Sequence, residues 1–165
     1  MKPEYKQVAK AKYIQLTAEL ADGLWRECYA RRYNSKQLTA LLNELQSPER
    51  IEADIDDDAN YFIILLAGKP IGYFAWKMEA AAMNLMHLYL KPANRGKGLG
   101  RDIIASCERL ARADGKGRVH CLVHTKDLSA MGFFKACGYH ALRPGTRCPG
   151  GVAMDETEME HTLGC

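Results

Sequence analysis

The sequence predicts an α/β fold in which a central mixed sheet, mostly antiparallel, carries helices on both faces, as a single domain over residues 1–165. Helical periodicity dominates the first third of the chain, and three apolar, β-rich runs follow it. A glycine-rich turn then joins one of these runs to an amphipathic segment, with another strand-like run beyond. That order is typical of a right-handed crossover between parallel strands, which places helices against the sheet.

The N-terminal third predicts two main helices. Residues 1–11 are polar and lysine-rich, which indicates a loose lead-in, and a weak β preference predicts a first strand over residues 12–17. Thr17 predicts the N-cap of a helix over residues 18–33. Leucines at i, i+3, i+4 and i+7 predict a second helix after Ser35. Pro48 begins a short helical turn, and we expect the acidic residues 54–58 to form a solvated connector.

The rest of the chain predicts the sheet. Residues 61–67 and 71–78 flank the turn Gly68-Lys69-Pro70 and predict an antiparallel hairpin. Amphipathic periodicity and closing glycines predict two later helices. The remaining elements are a strand over 83–90, a helix over 98–114, a strand over 119–124, a helix over 128–137, and strands over 139–142 and 152–163 with a turn-rich link through 144–151.

Composition excludes several functional classes. The chain is 47% hydrophobic and 26% charged with a net charge of +3, which is ordinary for a globular protein and too small for nucleic-acid binding. Six cysteines without a C-x-x-C pair predict reduced thiols in the cytoplasm. No run is long and apolar enough to predict a membrane span. His120 and His124 lack a third ligand at a regular spacing, so we expect no metal site and a structural role for both.

The chain has its strongest functional signal at residues 88–101. An apolar strand ends at Pro92, and three glycines at alternate positions, 96, 98 and 100, precede an amphipathic helix. The first N–H groups of a helix lack internal partners and lie at the positive end of its dipole. Because glycine removes the Cβ atoms that would hold an anion away, we expect a phosphate-bearing ligand at this turn.

The glycine spacing narrows the choice of ligand. A dinucleotide site requires G-x-G-x-x-G, and a Walker loop requires Lys and Ser/Thr after the last glycine, whereas this chain has G-x-G-x-G followed by Arg101. Arg95-Gly96-Lys97-Gly98-Leu99-Gly100 resembles the R/Q-x-x-G-x-G/A motif of the GNAT superfamily of N-acetyltransferases. That resemblance implies that the turn binds the pyrophosphate of acetyl coenzyme A (acetyl-CoA).

A second segment extends the resemblance. Residues 127–139 match the superfamily's N-x-x-A-x-x-F-Y motif and its closing G-F, at the family's distance from the glycine turn. The N-terminal helix pair and residues 150–163 resemble the bacterial subgroup that contains polyamine N-acetyltransferases. The resemblance implies that pantetheine bonds the backbone of the strand before the turn. The cofactor-binding residues that it implies are Leu88, Tyr89, Leu90, Arg95, Gly96, Lys97, Gly98, Leu99, Gly100, Arg101, Asp127 and Phe134.

Three departures from the family affect proton transfer. The aromatic hydroxyl that acts as general acid is replaced by Phe134, and the family's general-base glutamate by Asn84. Asp127 stands where the motif has asparagine, which adds a charge beside an anionic cofactor. His87 is one candidate base, since imidazole titrates near neutrality, although strand alternation puts it and Asn84 on opposite faces unless a bulge intervenes. Glu79 is the other candidate.

The sequence therefore predicts an acetyl-CoA-dependent N-acetyltransferase that acts on a primary amine of a small molecule or peptide by direct attack. The departures at Phe134 and Asn84 leave a non-catalytic acyl-CoA-binding or regulatory module as an alternative. A nucleotide- or phosphate-binding protein of unrelated chemistry is the third reading. Analogy with the family also implies a homodimer, formed through the C-terminal strands.

Overall fold

A computed structural model describes residues 2–164. Its strands are β1 (Glu4–Gln7), β2 (Asn60–Leu66), β3 (Lys69–Met78), β4 (Ala82–Leu90), β5 (Arg118–His124), β6 (His140–Arg147) and β7 (Met154–Thr162). Its α-helices are α1 (Ala11–Cys28), α2 (Ser35–Leu45), α3 (Pro48–Asp56), α4 (Leu99–Ala113) and α5 (Leu128–Ala136). Met1 and Cys165, which belong to the predicted lead-in and cysteine set, lie outside the described residues.

One seven-stranded sheet organises the molecule. The strand order is β1-β2-β3-β4-β5-β7-β6, and only the β4–β5 pair is parallel. Alternate side chains of the strands enter two cores: Tyr61 and Ile63 pack with α1, α2 and α3, whereas Ile64 packs with α4 on the opposite face. The predicted mixed, mostly antiparallel sheet with helices on both faces is confirmed.

The N-terminal predictions are wrong in two places. Residues 4–7 form the edge strand β1 along β2, instead of a loose lead-in. Residues 12–17 belong to α1, so Thr17 is no N-cap: its hydroxyl lies inside the helix and donates to the Tyr13 carbonyl at 2.7 Å. The buried set Ile14, Thr17, Ala21 and Leu24 has helical spacing, and burial of this face outweighs the weak local β preference. The helix also ends at Cys28, five residues earlier than predicted.

The acidic segment at residues 54–58 is also different from the prediction. α3 continues to Asp56, and the Asp54 side chain is 11% exposed. Asp54 ends a chain of hydrogen bonds that links four elements and the C-cap residue of α2. Trp25 donates to the Tyr73 hydroxyl, and Tyr73 donates to Gln46. Gln46 in turn donates to the Tyr61 hydroxyl, which donates to the Asp54 carboxylate at 2.7 Å.

At the C-terminal edge, the predicted turn-rich link is partly strand. β6 runs through Pro144 and Gly145 to Arg147, and only Pro149–Gly151 forms a short 3₁₀ turn. Proline is tolerated there because β6 is an edge strand that pairs with β7 alone.

The sheet opens between β4 and β5. Ladder pairing joins Ala82, Met83 and Asn84 to Arg118, Val119 and His120, and it stops there. Beyond that point the two strands diverge, so the C-terminal ends of β4 and β5 form the walls of a gap. β4 also contains a bulge where it pairs with β3. Ala75 pairs with His87 and the next residue, Trp76, pairs with Leu85, so Met86 between them has no partner.

Candidate active site

The glycine turn has the geometry of an anion site. Gly96 and Gly98 have φ values of 72° and 85°, in the left-handed region that favours glycine. Gly98 is the N-cap of α4, and the first N–H bonded within that helix belongs to Asp102, which donates to the Gly98 carbonyl. The N–H groups of Leu99, Gly100 and Arg101 precede it and have no helical acceptor. These three donors and the positive end of the dipole favour a phosphate.

A cavity of about 490 Å³ lies against this turn, and we call it the turn cavity. Every implied cofactor-binding residue except Tyr89 and Lys97 lines it. Asn94, Ser129, Ala130 and Phe133 also line this cavity and were missed. Ser129 follows Asp127 by two residues at the start of α5, and this proximity to a motif residue is the signal that could have identified it.

Arg95 and Gly100 position the turn. The Arg95 guanidinium donates to the Leu90 carbonyl at 2.9 Å and forms an ion pair of 2.5 Å with Glu27. This pair raises the pKa of Arg95 and ties the end of α1 to the turn. Gly100 packs under Phe133 of α5, where a Cβ would lie 3.0 Å from the ring. The first two glycines therefore shape the backbone of the turn, whereas the third permits helix packing.

Two further cavities continue from the turn cavity. The split cavity, about 80 Å³, lies in the gap between β4 and β5 and shares Leu88, Asp127 and Phe134 with the turn cavity. The distal cavity, about 210 Å³, shares Tyr29, His87, Tyr89 and His124 with the split cavity, among others. The shared lining residues place the split cavity between the other two, so the three cavities adjoin in order from the glycine turn to the α1–α3 face of the sheet.

The β4 bulge brings Asn84 and His87 to the same side of the sheet. They are three residues apart, and the unpaired Met86 reverses the alternation between them, so both line the distal cavity. Burial lowers the pKa of His87 to about 4. Four aromatic rings surround its imidazole, with centroids 5.9 to 6.2 Å away: Trp25, Tyr61, Tyr73 and Tyr89.

The other implied proton-transfer positions lie in different surroundings. Glu79 is outside all three cavities, and its carboxylate bonds His120 Nε2 at 2.7 Å. Phe134 lines both the turn and split cavities and has no hydroxyl there. Asp127 is the N-cap of α5, and its carboxylate accepts the Ala130 N–H at 3.0 Å. The negative charge of Asp127 is thus partly offset by the N-terminus of that helix.

The distal cavity carries two ion pairs. Arg50 bonds Asp54 at 2.9 Å, and Arg147 bonds Glu156 at 2.6 Å. Each carboxylate side chain is 11% exposed, so both are held close to the protein interior. These four side chains come from α3, β6 and β7, and their charges balance. Sequence patterns that identify the glycine turn contain no signal for them.

A sequence profile of the Acetyltransferase (GNAT) family matches residues 19–139. The chain belongs to the GNAT acetyltransferase family. Members of this family use acetyl-CoA, and the free N–H groups, the glycine turn and the adjoining cavity fit that cofactor.

Known proteins resemble this GNAT acetyltransferase over nearly its whole length. A crystal structure of PaiA N-acetyltransferase from Thermoplasma acidophilum, in complex with coenzyme A, has a TM-score of 0.79 at 20% identity and covers 99% of this chain and 100% of that one. A GCN5-related N-acetyltransferase from Rhodopseudomonas palustris has a TM-score of 0.82 at 21% identity, with 99% and 97% covered. Spermidine N(1)-acetyltransferase from T. acidophilum is 25% identical over 125 residues, which are 73% of this chain and 76% of the relative.

Two features of the described residues concern membrane-spanning helices and the state of the cysteines. No helix within residues 2–164 is long and apolar enough to cross a membrane. The five cysteines of that range are all free thiols, and Cys107 and Cys121 are buried. Burial raises the pKa of both buried thiols to about 12, so neither is a reactive thiolate at neutral pH.

Proposed function

We propose that this GNAT acetyltransferase transfers the acetyl group of acetyl-CoA to a primary amine of a small molecule or peptide. The observation that supports the proposal is that three adjoining cavities follow one another from the glycine turn, along the gap between β4 and β5, to the distal cavity. A cofactor held at the turn can reach the gap from one side. An acceptor amine can enter from the opposite, α1–α3 side.

The protein's contribution is to hold and orient the two partners. Acetyl-CoA supplies an activated thioester when bound. The N–H groups of Leu99, Gly100 and Arg101 bind its pyrophosphate in our proposal, and the exposed Lys97 adds positive charge. The free β4 edge at Leu88, Tyr89 and Leu90 offers backbone groups to pantetheine, because the β4–β5 ladder has already ended.

The acceptor is an amine whose proton must be removed. A primary ammonium has a pKa of about 10.4, so almost none of it is nucleophilic at pH 7. Asp54 and Glu156 line the distal cavity beside their arginine partners, and their carboxylate oxygens can accept hydrogen bonds from an ammonium that enters it. Because one relative is a spermidine N(1)-acetyltransferase, polyamines head the acceptors to be tested. His87 and Glu79 remain the bases that the sequence nominates, and His87→Asn and Glu79→Gln test them in the same assay.

Thiol release from acetyl-CoA, measured with a panel of amines, tests the activity. We expect release that depends on the acceptor, and tight cofactor binding without any such release would contradict the proposal. Gly98→Glu should abolish CoA binding by calorimetry while circular dichroism stays native, because a side chain at φ 85° is strained and its carboxylate repels phosphate. The matched control is Gly117→Glu, which adds the same charge beyond α4, away from the turn.

A second candidate function is a non-catalytic acyl-CoA-binding or regulatory module. Phe134 favours it, because the ring reaches the split cavity without a hydroxyl. Phe134→Tyr separates the two readings: a large gain in rate indicates a slow enzyme, and no rate in either form supports the binding module. Calorimetry with ADP, NAD and CoA tests whether the chain is instead a nucleotide- or phosphate-binding protein of unrelated chemistry, since only a GNAT-like site should prefer CoA.

The location and assembly of the protein are also proposals. Free thiols in the described range favour a reducing compartment, and we propose the cytoplasm. β6 is a sheet edge whose residues are all exposed, so we propose that it contributes to a homodimer. Light scattering tests the assembly, and a monomer at working concentration would contradict it.

A further inference from the structure

His124 has a buried ring nitrogen without a partner. It lies at the end of β5, where the gap has opened, and the residue is 8% exposed. Within residues 2–164 its Nδ1 atom has no hydrogen-bond partner and almost no solvent contact. The imidazole packs against the rings of Tyr29 and Tyr33, at 6.0 and 5.8 Å between centroids. Buried polar groups without partners are rare in native proteins and need an explanation.

The hydrogen bonds around His124 decide which nitrogen carries the proton. The Tyr33 hydroxyl oxygen lies 2.9 Å from His124 Nε2 and 3.2 Å from the Ala153 carbonyl oxygen. Because a carbonyl can only accept, both contacts are hydrogen bonds at the same time only when Tyr33 donates to Ala153 and accepts from Nε2–H. The neutral imidazole therefore has its proton on Nε2, and the unpartnered Nδ1 has a free lone pair.

The position of His124 connects that lone pair with the proposed chemistry. The residue lines both the split cavity and the distal cavity, which meet where the proposed cofactor and acceptor sites adjoin. Burial, followed by the nearby Arg32, lowers the pKa of His124, so the ring is neutral and able to accept a proton at pH 7. The charged groups around it are Arg32 after α1, Asp127 before α5, and Asp155 and Glu156 of β7.

His124 is better supported for proton uptake than His87. Three carboxylates offset the charge that its ring would gain, and Nε2–H stays bonded to Tyr33 when Nδ1 takes a proton. Aromatic rings surround His87, and proton transfer from an ammonium of pKa about 10.4 to an imidazole of pKa about 4 is unfavourable by about six powers of ten. A proton held on His87 therefore has less negative charge nearby to offset it.

We propose that His124 is the proton acceptor for the amine substrate, an inference that rests on the proposed N-acetyltransferase function. Nδ1 is covered by packed side chains in this structure, so the bound amine has to take the place of part of that packing. The N–H bond of the acceptor ammonium then breaks and an Nδ1–H bond forms, which leaves a neutral, nucleophilic amine and an imidazolium. The proton then passes to water at the open side of the distal cavity. The Tyr33–Ala153 pair acts as a positioning device that keeps the lone pair on Nδ1.

The first test needs neither cofactor nor turnover. Nitrogen-15 NMR of the imidazoles in the free protein reports the tautomer of each histidine. We expect His124 to be the Nε2–H tautomer at neutral pH, and Tyr33→Phe to produce a mixture of tautomers. An Nδ1–H tautomer in the wild-type protein would overturn the proposal, and this measurement does not depend on whether a His124 variant folds.

The second test separates a catalytic role from a structural one. His124→Gln retains an N–H donor for Tyr33 but cannot take up a proton at neutral pH. We expect kcat to fall by about 10²–10⁴-fold with an ordinary amine, which is the usual contribution of a general base. With a fluorinated primary amine that is already neutral at pH 7, kcat of the variant should fall far less. The dissociation constant for CoA should be unchanged.

The outcomes of the second test are distinguishable. Equal losses for the basic and the neutral amine would overturn the proposal, as would a pH–rate profile that His124→Gln does not alter. His140→Gln, on the exposed edge strand β6, is the matched control and should behave as wild type. If wild-type protein acetylates no amine, the proposed function itself fails, whereas an active wild type with an equally active His124→Gln rejects only the role of His124.

Discussion

His87 should make the stability of this protein depend on pH. Its imidazole is enclosed by the rings of Trp25, Tyr61, Tyr73 and Tyr89, and this burial lowers its pKa from 6.5 to about 4. Above pH 6.5 both the folded and the unfolded chain carry a neutral His87, and the residue adds no pH dependence. As the pH falls from 6.5 towards 4, the unfolded chain takes up a proton that the folded protein does not, so stability falls.

The size of the effect follows from the pKa difference. One pH unit corresponds to about 1.4 kcal/mol, so His87 should reduce the free energy of unfolding by about 2 kcal/mol at pH 5 and by at most about 3 kcal/mol below pH 4. Urea unfolding, followed by tryptophan fluorescence at about pH 7.5 and about pH 5, measures the loss. His87→Phe should show a loss smaller by that amount, because Phe cannot titrate.

The quantity to compare is the slope of the unfolding free energy against pH, and not its absolute value at one pH. Phe is larger than His and can change the stability of the variant at every pH, but it cannot change the linkage to protons. His140→Phe, at an exposed position of β6, is the matched control and should retain the wild-type slope. Parallel curves of stability against pH for wild type and His87→Phe would refute the reasoning.

Substitutions at three further positions test the packing and helix capping of the fold. Gly72→Ala should destabilise the fold by about 1–3 kcal/mol in thermal unfolding, because its Cβ would lie 2.1 Å from the Tyr89 carbonyl oxygen. Gly23→Ala in α1, whose Cβ meets no heavy atom of residues 2–164 within 4 Å, should instead stabilise by about 0.5–1 kcal/mol. Asp127→Ala should cost about 1 kcal/mol in urea unfolding by removing the cap of α5, whereas Asp127→Asn, which can still accept the N–H of Ala130, should cost less.

The predictable parts of the fold depend on local signals. α2 follows from its leucine spacing, although its N-cap is Asn34 and the helix begins at Ser35 itself, and α4 follows from Gly98 and its amphipathic face. The first turns of α1 were missed because Tyr13 and Ile14 favour a strand locally. Their helical state depends on burial against the sheet, which no local window contains.

Long-range geometry decided the details of the site. The bulge at Met86 places Asn84 and His87 on one side, and neither the residue types nor their spacing predicts a bulge there. The hydrogen bonds around His124 could not be predicted either, since Tyr33 lies 91 residues from His124 and 120 residues from Ala153 in the chain. The acidic residue Asp54 looked solvated and is instead bonded to Tyr61 in the core.

The sequence by itself determined the fold class, the glycine turn and the cofactor. The fold class and a phosphate-binding turn follow from short-range physics: left-handed glycines, unpaired N–H groups at a helix start, and periodic burial. Acetyl-CoA as the cofactor followed from the resemblance of two motifs to the GNAT superfamily. The tertiary structure alone decided which side chains line the distal cavity and how strongly each is buried. Asp54, His87, His124 and Glu156 come from four separate elements, and their burial and charges become defined only when α3 and β7 close around β4 and β5.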